Sequence, residues 1–335
     1  IGRRVGGRKT SASLSERLFA TRWLPLDLAA PLSDADATFQ PFPDASPAKG
    51  HIAHTTWFFE SFVLRDHVPG YRACDDRFAF LFNSYYEAEG ERHARPKRGM
   101  LSRPTLDDVR DWRASVDEAL ERALPSLSSE ALGLVELGIN HEQQHQELFL
   151  TDILAAFAEN PIEPAYAELA PRACSATEPL TFHPGRNGIV EIGASDTGFA
   201  FDNERPRHRT FLHPHAIASR RVTNDEWREF IADGGYEHPA LWLSEGWDWV
   251  KTKAISAPLY WHDDGTEFTP AGRREIDPAA PVAHVSSYEA DAFARWAGAR
   301  LPTEAEWEDY AASADSRLGN QLDPAEGTVP RPGAG

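Results

Sequence analysis

The sequence predicts a multidomain protein in which an α-helical bundle precedes an α+β domain. Residues 11–160 contain four segments with helical periodicity. Residues 161–186 contain five prolines, which is typical of a linker. Residues 187–335 contain short strand candidates, many turns and seven tryptophans, and this pattern favours an α+β domain with irregular loops.

The first domain is predicted to be a four-helix bundle. Its helices are expected at 13–20 and beyond, 51–65, 107–123 and 130–158. The fourth helix has a plausible N-cap at Ser128 or Ser129 and is ended by Pro161. The crossover at 66–104 is long, as in bundles that contain one extended connection.

His141 and His145 are the most informative residues of this domain. They stand four residues apart on the predicted fourth helix, so both imidazoles leave the same face about one turn apart. One helix can offer two nitrogen ligands to a metal in this way. Apolar neighbours predict that this face points inward, namely Leu134, Leu137, Gly138, Leu148 and Ile153. The pattern therefore favours a metal site over two packed histidines.

The residues alone leave the third ligand open. His51 and His54 are spaced i, i+3 on the predicted second helix, and either could complete a three-nitrogen site for iron or zinc, although His51 is better explained as a packed residue. The fourth-helix motif also spells H-E-x-x-H, in which Glu142 would be the general base of a zinc protease. Leu148 and Thr151 replace the glycine and histidine of the extended protease motif, so this alternative is disfavoured.

Composition limits the functional classes. The chain has 34 basic and 52 acidic side chains, a net charge of −18, which argues against nucleic acid or an anionic membrane as a partner. It contains no apolar stretch of membrane-spanning length and no secretory signal at the start of the sequence. Cys74 and Cys174 form no C-x-x-C pair, which fits a reducing cytoplasm. We therefore expect a cytoplasmic protein whose partners are neither nucleic acids nor membranes.

Several segments resemble the ergothioneine-biosynthetic non-haem iron sulfoxide synthases. The matching segments are HIAHTTWFFE (51–60), HEQQHQE (141–147), FAFDNERP (199–206), VTN (222–224), DGGY (233–236), WLSEGW (242–247) and AGARLPTEAEW (297–307). They follow the order and spacings of the family over about residues 15–310.

The resemblance implies a DinB-like four-helix bundle at 11–160, a linker at 161–186, and at 187–335 a formylglycine-generating-enzyme-like, C-type-lectin-like α+β domain. Family members continue beyond the last matching segment, so this second domain is expected to be incomplete, truncated at its C-terminus. From this we expect a chain that binds Fe(II) but turns over poorly.

The resemblance also implies the chemistry. Fe(II) would be held by His54, His141 and His145, so His51→Ala should retain the metal. O₂ would be a co-substrate, and the sulfur of cysteine or γ-glutamylcysteine would be joined to the imidazole carbon of hercynine, the trimethylated betaine of histidine. The product of this reaction is a sulfoxide.

Further site residues follow from the same resemblance. Tyr85 and Tyr86 match a tandem that enters the active site in the cysteine-using branch, where a tyrosine hydroxyl can donate a proton. Tyr85 is the candidate acid and Tyr86 its neighbour. Gln144 matches the residue that contacts the imidazole substrate in this family.

A basic segment follows the tandem tyrosines and places four cations within seven residues of an acidic protein. Arginine binds carboxylates bidentately, so Arg92 or Arg95 could hold the carboxylate of the thiol substrate. Lys97 and Arg98 are better explained as solvated side chains.

Several functions remain compatible with these features. The favoured one is the sulfoxide synthase of ergothioneine biosynthesis, and a 5-histidylcysteine sulfoxide synthase of ovothiol biosynthesis resembles it closely. A metal-dependent thiol transferase or hydrolase would use zinc or nickel without O₂, and an inactive binding fragment would carry out no chemistry. The tandem tyrosines and the fused second domain favour the oxygen-dependent enzyme.

Overall fold

The computed structural model describes residues 12–84, 86, 89–168, 177–314 and 322. The chain divides into two compact units, Ile1–Ala167 and Glu168–Gly335. The first unit is helical, and the second combines short helices with two-stranded sheets. The prediction of an α domain followed by an α+β domain is confirmed.

Four helices of the first unit lie close to the predicted positions, and two short helices, the second and the fourth along the chain, lie where none was predicted. In chain order the helices are α1 (Leu14–Ala29), α2 (Asp34–Thr38), α3 (Ala48–Phe59), α4 (Arg77–Phe82), α5 (Leu106–Ala123) and α6 (Ser129–Ala158). Ser128 caps α6, because its side chain accepts the backbone N–H of Ala131. A π-helical turn at Glu60–Arg65 extends α3.

Helix α3 lies at the centre of the bundle. Its side chains are buried on every face, and it packs against α1, α5 and α6. The aromatic residues of its second half favour this central position, although the helix also buries polar side chains. At Gly138 an added Cβ would lie only 2.5 Å from the Phe59 ring, so this glycine lets α6 approach α3 closely.

A buried network of ion pairs and hydrogen bonds joins four helices of the bundle. The Glu142 carboxylate on α6 accepts from Arg22 of α1 at 3.2 Å and from Arg113 of α5. Arg113 also donates to the hydroxyls of Thr55 and Thr56 on α3. Burial lowers the pKa of Arg113, and Glu142 opposes that shift by stabilising the charged guanidinium.

The two ends of the predicted linker belong to the compact units. Tyr166 is buried in the core of the first unit, where its hydroxyl donates to the Leu28 carbonyl. At the other end, residues 182–184 already form a strand of the second unit.

The second unit is built from three antiparallel strand pairs and short helices in the part that the structure describes. The pairs are β1 (Phe182–Pro184) with β4 (Ala216–Ala218), β2 (Gly188–Ile192) with β3 (His208–Leu212), and β5 (Thr266–Thr269) with β6 (Gly272–Glu275). The helices are α7 (Asn224–Ala232), α8 (Ser244–Lys253), α9 (Ser287–Trp296) and α10 (Glu304–Ala311).

Its core is aromatic. Trp227 and Phe293 stack with ring centroids 4.8 Å apart, and the Tyr236 hydroxyl donates to Glu289 at 2.7 Å. Capping boxes begin α7, α9 and α10 at Thr223/Glu226, Ser286/Glu289 and Thr303/Glu306. None of the helices within the described ranges has the length and apolarity needed to cross a bilayer.

Candidate metal centre

His54, His141 and His145 converge where α3 packs on α6. One ring nitrogen from each lies within 4.8 Å of the other two. The ring centroids are 5.1 Å apart for His54 and His141, 4.8 Å for His54 and His145, and 4.7 Å for His141 and His145. The spacing allows all three imidazoles to turn toward one ion. Metal binding by these three residues stays a prediction.

Hydrogen bonds fix how these rings present their lone pairs. The Nδ1 atom of His54 lies 2.7 Å from the carbonyl oxygen of Phe82, at the end of α4. A carbonyl only accepts, so Nδ1 carries the proton and Nε2 keeps its lone pair. The Nδ1 atom of His141 is buried without a hydrogen-bond partner among the described residues. Buried nitrogens with uncommitted lone pairs fit a transition-metal site.

Burial keeps the three imidazoles neutral. Desolvation lowers the pKa of His54 to about 3 and that of His141 to about 4. The pKa of His145 is also lowered, by burial first and then by its histidine neighbours. At neutral pH a metal would therefore bind without displacing protons from these rings.

The same shifts predict how the stability of the metal-free chain depends on pH. In the unfolded chain these histidines bind protons below about pH 6.5, whereas in the folded chain they stay neutral to about pH 4. The unfolded state then binds more protons, so the free energy of unfolding should fall as pH falls from 6.5 to 5, by up to about 1.4 kcal/mol per pH unit for each histidine. Urea unfolding at pH 7, 6 and 5 measures this.

A His54→Gln variant provides the control for the pH series. Glutamine can still donate a hydrogen bond but does not titrate, so its unfolding free energy should depend less steeply on pH than that of the wild type. Equal slopes in the two proteins would contradict the assignment of His54 as a buried neutral group.

A cavity of about 370 Å³ opens onto the three histidines. Its lining also contains Tyr86, Arg95, Arg98, Gln144 and Leu148. Three residues predicted from the sequence, Tyr86, Arg95 and Gln144, thus lie beside the candidate centre. Arg92 is exposed and does not belong to the described lining of this cavity.

Tyr86 is held at the cavity by its backbone and its ring. The buried amide of Asn83 donates to the Tyr86 carbonyl at 2.8 Å and accepts the Tyr86 N–H at 3.0 Å. The ring contacts Phe62 and Trp57 at centroid distances of 5.0 and 5.5 Å. Burial raises the pKa of Tyr86, so its hydroxyl keeps its proton at neutral pH. Tyr85 lies outside the described residues.

Arg98 lines the cavity, although sequence reasoning did not assign it to the site. The expectation of a solvated side chain is wrong, because a 3₁₀ turn at Arg95–Met100 directs Arg98 to the cavity. Its guanidinium donates to Ser46 Oγ at 3.0 Å and Ser84 Oγ at 2.9 Å. Burial, followed by repulsion from Arg95 and Arg92, lowers its pKa to about 10. Arg98 remains charged at neutral pH and has no acidic partner within the described ranges, so an anion can bind it.

Glu142 takes no part in this centre. Its carboxylate is fully buried and bound by Arg22 and Arg113, because adjacent residues leave a helix about 100° apart. It cannot serve as the general base of the H-E-x-x-H motif, so the protease interpretation is wrong. Leu148, predicted to face the core, is instead 49% exposed at the cavity.

Comparisons with known proteins agree with the two-domain architecture. Residues 20–149 match the DinB superfamily, and residues 175–328 match the sulfatase-modifying factor enzyme 1-like domain. A formylglycine-generating enzyme of Streptomyces coelicolor is 37% identical over 129 residues, which are 34% of this chain and 41% of that protein.

Other relatives match both domains at once. A hercynine oxygenase of Mycolicibacterium thermoresistibile is 32% identical over 307 residues, which cover 90% of this chain and 66% of the relative. One from Mycolicibacterium smegmatis is 34% identical over 284 residues, which cover 83% and 64%. The chain thus spans just under two thirds of the length of these relatives. With both domains matched in the same order, the chain belongs to the family of the hercynine oxygenases.

Proposed function

We propose that the chain is an Fe(II)- and O₂-dependent sulfoxide synthase that joins the sulfur of a cysteine-type thiol to the imidazole carbon of hercynine. The observation that carries the proposal is the convergence of three neutral histidines on a cavity, in a chain similar to hercynine oxygenases. Fe(II) held by His54, His141 and His145 would supply the binding of the thiolate and the activation of O₂.

The cations at the cavity support an amino-acid thiol as one substrate. Arg98 offers a charged guanidinium in a half-buried position, and Arg95 lines the same cavity. Guanidinium groups hold carboxylates through charge-assisted hydrogen bonds, which are stronger where water is excluded. We assign the substrate carboxylate to this pair rather than to Arg92.

Other residues that line the cavity are assigned to the binding of hercynine and to proton donation. Gln144 follows His141 by three residues on α6 and presents its amide to the cavity, where it can hydrogen-bond the imidazole of hercynine. The Tyr86 hydroxyl holds a proton at neutral pH and can donate it. Because of the family resemblance, we propose Tyr85 as the first candidate for the proton donor and Tyr86 as the second. We place the reaction in the cytoplasm, since Cys74 is an exposed free thiol.

Aerobic and anaerobic incubations test the proposal. The chain with Fe(II), cysteine and hercynine should form a sulfoxide, detected by mass spectrometry, only when O₂ is present. Parallel reactions with γ-glutamylcysteine as the donor and with histidine as the acceptor identify the preferred substrates. Product formation without O₂, or with zinc or nickel in place of iron, would support a thiol transferase or hydrolase instead.

Replacing Arg98 should weaken binding of the thiol substrate. Arg98→Met removes the charge but keeps a long apolar side chain, so the KM for cysteine should rise roughly 10- to 100-fold through loss of a charge-assisted hydrogen bond. Lys97→Met is the matched control, because Lys97 is the exposed neighbour in the same turn. An equal KM in the two variants would show that Arg98 does not bind the substrate.

A further inference from the structure

His51 lines the same cavity and lies between His145 of the converging set and the carboxylate of Asp152. It is 4% exposed and is not one of the three converging histidines. Its Nδ1 atom lies 2.9 Å from Nδ1 of His145, and its Nε2 atom lies 3.1 Å from Oδ2 of Asp152. These contacts form a continuous chain from His145 to Asp152.

The direction of each hydrogen bond in this chain follows from the groups involved. An ionised carboxylate only accepts, so Nε2 of His51 donates to Asp152. In the neutral form of an imidazole that donates through Nε2, Nδ1 is the acceptor, and in that form of His51 the proton of the second bond comes from Nδ1 of His145. The lone pair of His145 is thereby confined to Nε2, the atom on the far side of the ring from His51.

Asp152 is itself held in place by the backbone. Its Oδ2 atom accepts the N–H of Ser46 at 2.8 Å, just before α3 begins. This series of hydrogen bonds therefore links the backbone just before α3 to the side chain of His145 on α6. His54 has a comparable support, because its Nδ1 donates to the Phe82 carbonyl. Two of the three converging histidines are thus oriented by a partner on the ring nitrogen that would not bind metal.

We propose that His51 and Asp152 are positioning residues that fix the tautomer and orientation of His145 so that its Nε2 faces the metal. This inference rests on the proposed metal centre. It replaces the expectation that His51 is only a packed residue. Removing His51 should leave three ligands in place and a full complement of metal at saturation, but with weaker binding.

Metal affinity in two His51 variants tests the role directly. Zn(II) and Co(II) affinities are measured at pH 7 by competition with a chromophoric chelator, and Co(II) absorption reports the ligand set. His51→Leu keeps the volume without a polar atom, and we expect roughly 10- to 100-fold weaker binding. His51→Asn keeps an oxygen acceptor near the position of Nδ1 and should recover part of that loss.

The order of these two variants separates positioning from packing. A packing role predicts that leucine is tolerated better than the smaller, polar asparagine, which is the opposite order. Asp152→Asn should also weaken binding, because an amide can present a donor where the carboxylate can only accept. In zinc-loaded, ¹⁵N-histidine-labelled protein, the His145 signals should show an Nδ1–H tautomer in the wild type and lose it in Asp152→Asn.

The controls separate failure of this inference from failure of the metal centre. His67→Ala removes a histidine beyond α3 that does not line the cavity, and its affinity should equal that of the wild type. A wild-type chain that binds neither ion would overturn the proposed centre itself. A wild type that binds while His51→Leu and Asp152→Asn bind equally well would overturn only the role of His51 and Asp152.

Discussion

Replacing His54, His141 or His145 by alanine is expected to abolish stoichiometric metal binding. The converging set supplies three nitrogens from two helices, and each substitution leaves two, too few to hold a labile divalent ion against dilution. Metal content after anaerobic loading with Fe(II) and gel filtration should fall from about one ion per chain to near zero. Circular dichroism of the same samples verifies that the helices persist.

Gln144→Ala is the matched control for this series. Gln144 precedes His145 on α6 and lines the same cavity, so its loss changes the site without removing a nitrogen of the converging set. We expect this variant to keep its metal. A His54→Ala protein that retains a full complement of iron would show that His54 is not one of the metal ligands.

The histidine pair and its helix could be predicted because the signals are local. Ser128 and Pro161 mark the limits of α6, and the four-residue spacing fixes the relative direction of His141 and His145. Helix α3 was recognisable from its aromatic residues. Since that helix is buried on every face, its periodicity could not show whether His51 or His54 belongs to the converging set, and only the family resemblance separated them.

The remaining features depend on contacts between distant segments. Glu142 is buried because Arg22 and Arg113, far away in the sequence, supply its partners, and no local pattern encodes that pairing. Arg98 turns toward the cavity through a short 3₁₀ turn that a basic run does not reveal. The hydrogen bonds that run from Asp152 through His51 to His145 likewise require residues of α3 and α6 to meet.

Breaking the buried network at Glu142 should cause the largest loss of stability. Glu142→Ala removes the carboxylate that contacts the fully buried guanidinium of Arg113, while Arg22 stays paired with Asp117. Removing one partner of a buried ion pair destabilises proteins by about 3–5 kcal/mol, because the remaining charge stays desolvated. Urea unfolding followed by circular dichroism should show a loss of this size in the first unit.

Glu136→Ala tests whether burial, rather than the loss of a glutamate from α6, causes the effect. Glu136 lies on the surface of α6 and pairs with Arg17 of α1 at 3.0 Å, and the two side chains are 34% and 42% exposed. Solvent and side-chain entropy reduce such a pair to about 0–1 kcal/mol, so this variant should unfold almost like the wild type. Similar losses in both proteins would show that the Glu142 network contributes no more than a surface pair. A stable Glu142→Ala protein that had lost only its activity would instead return Glu142 to the catalytic centre.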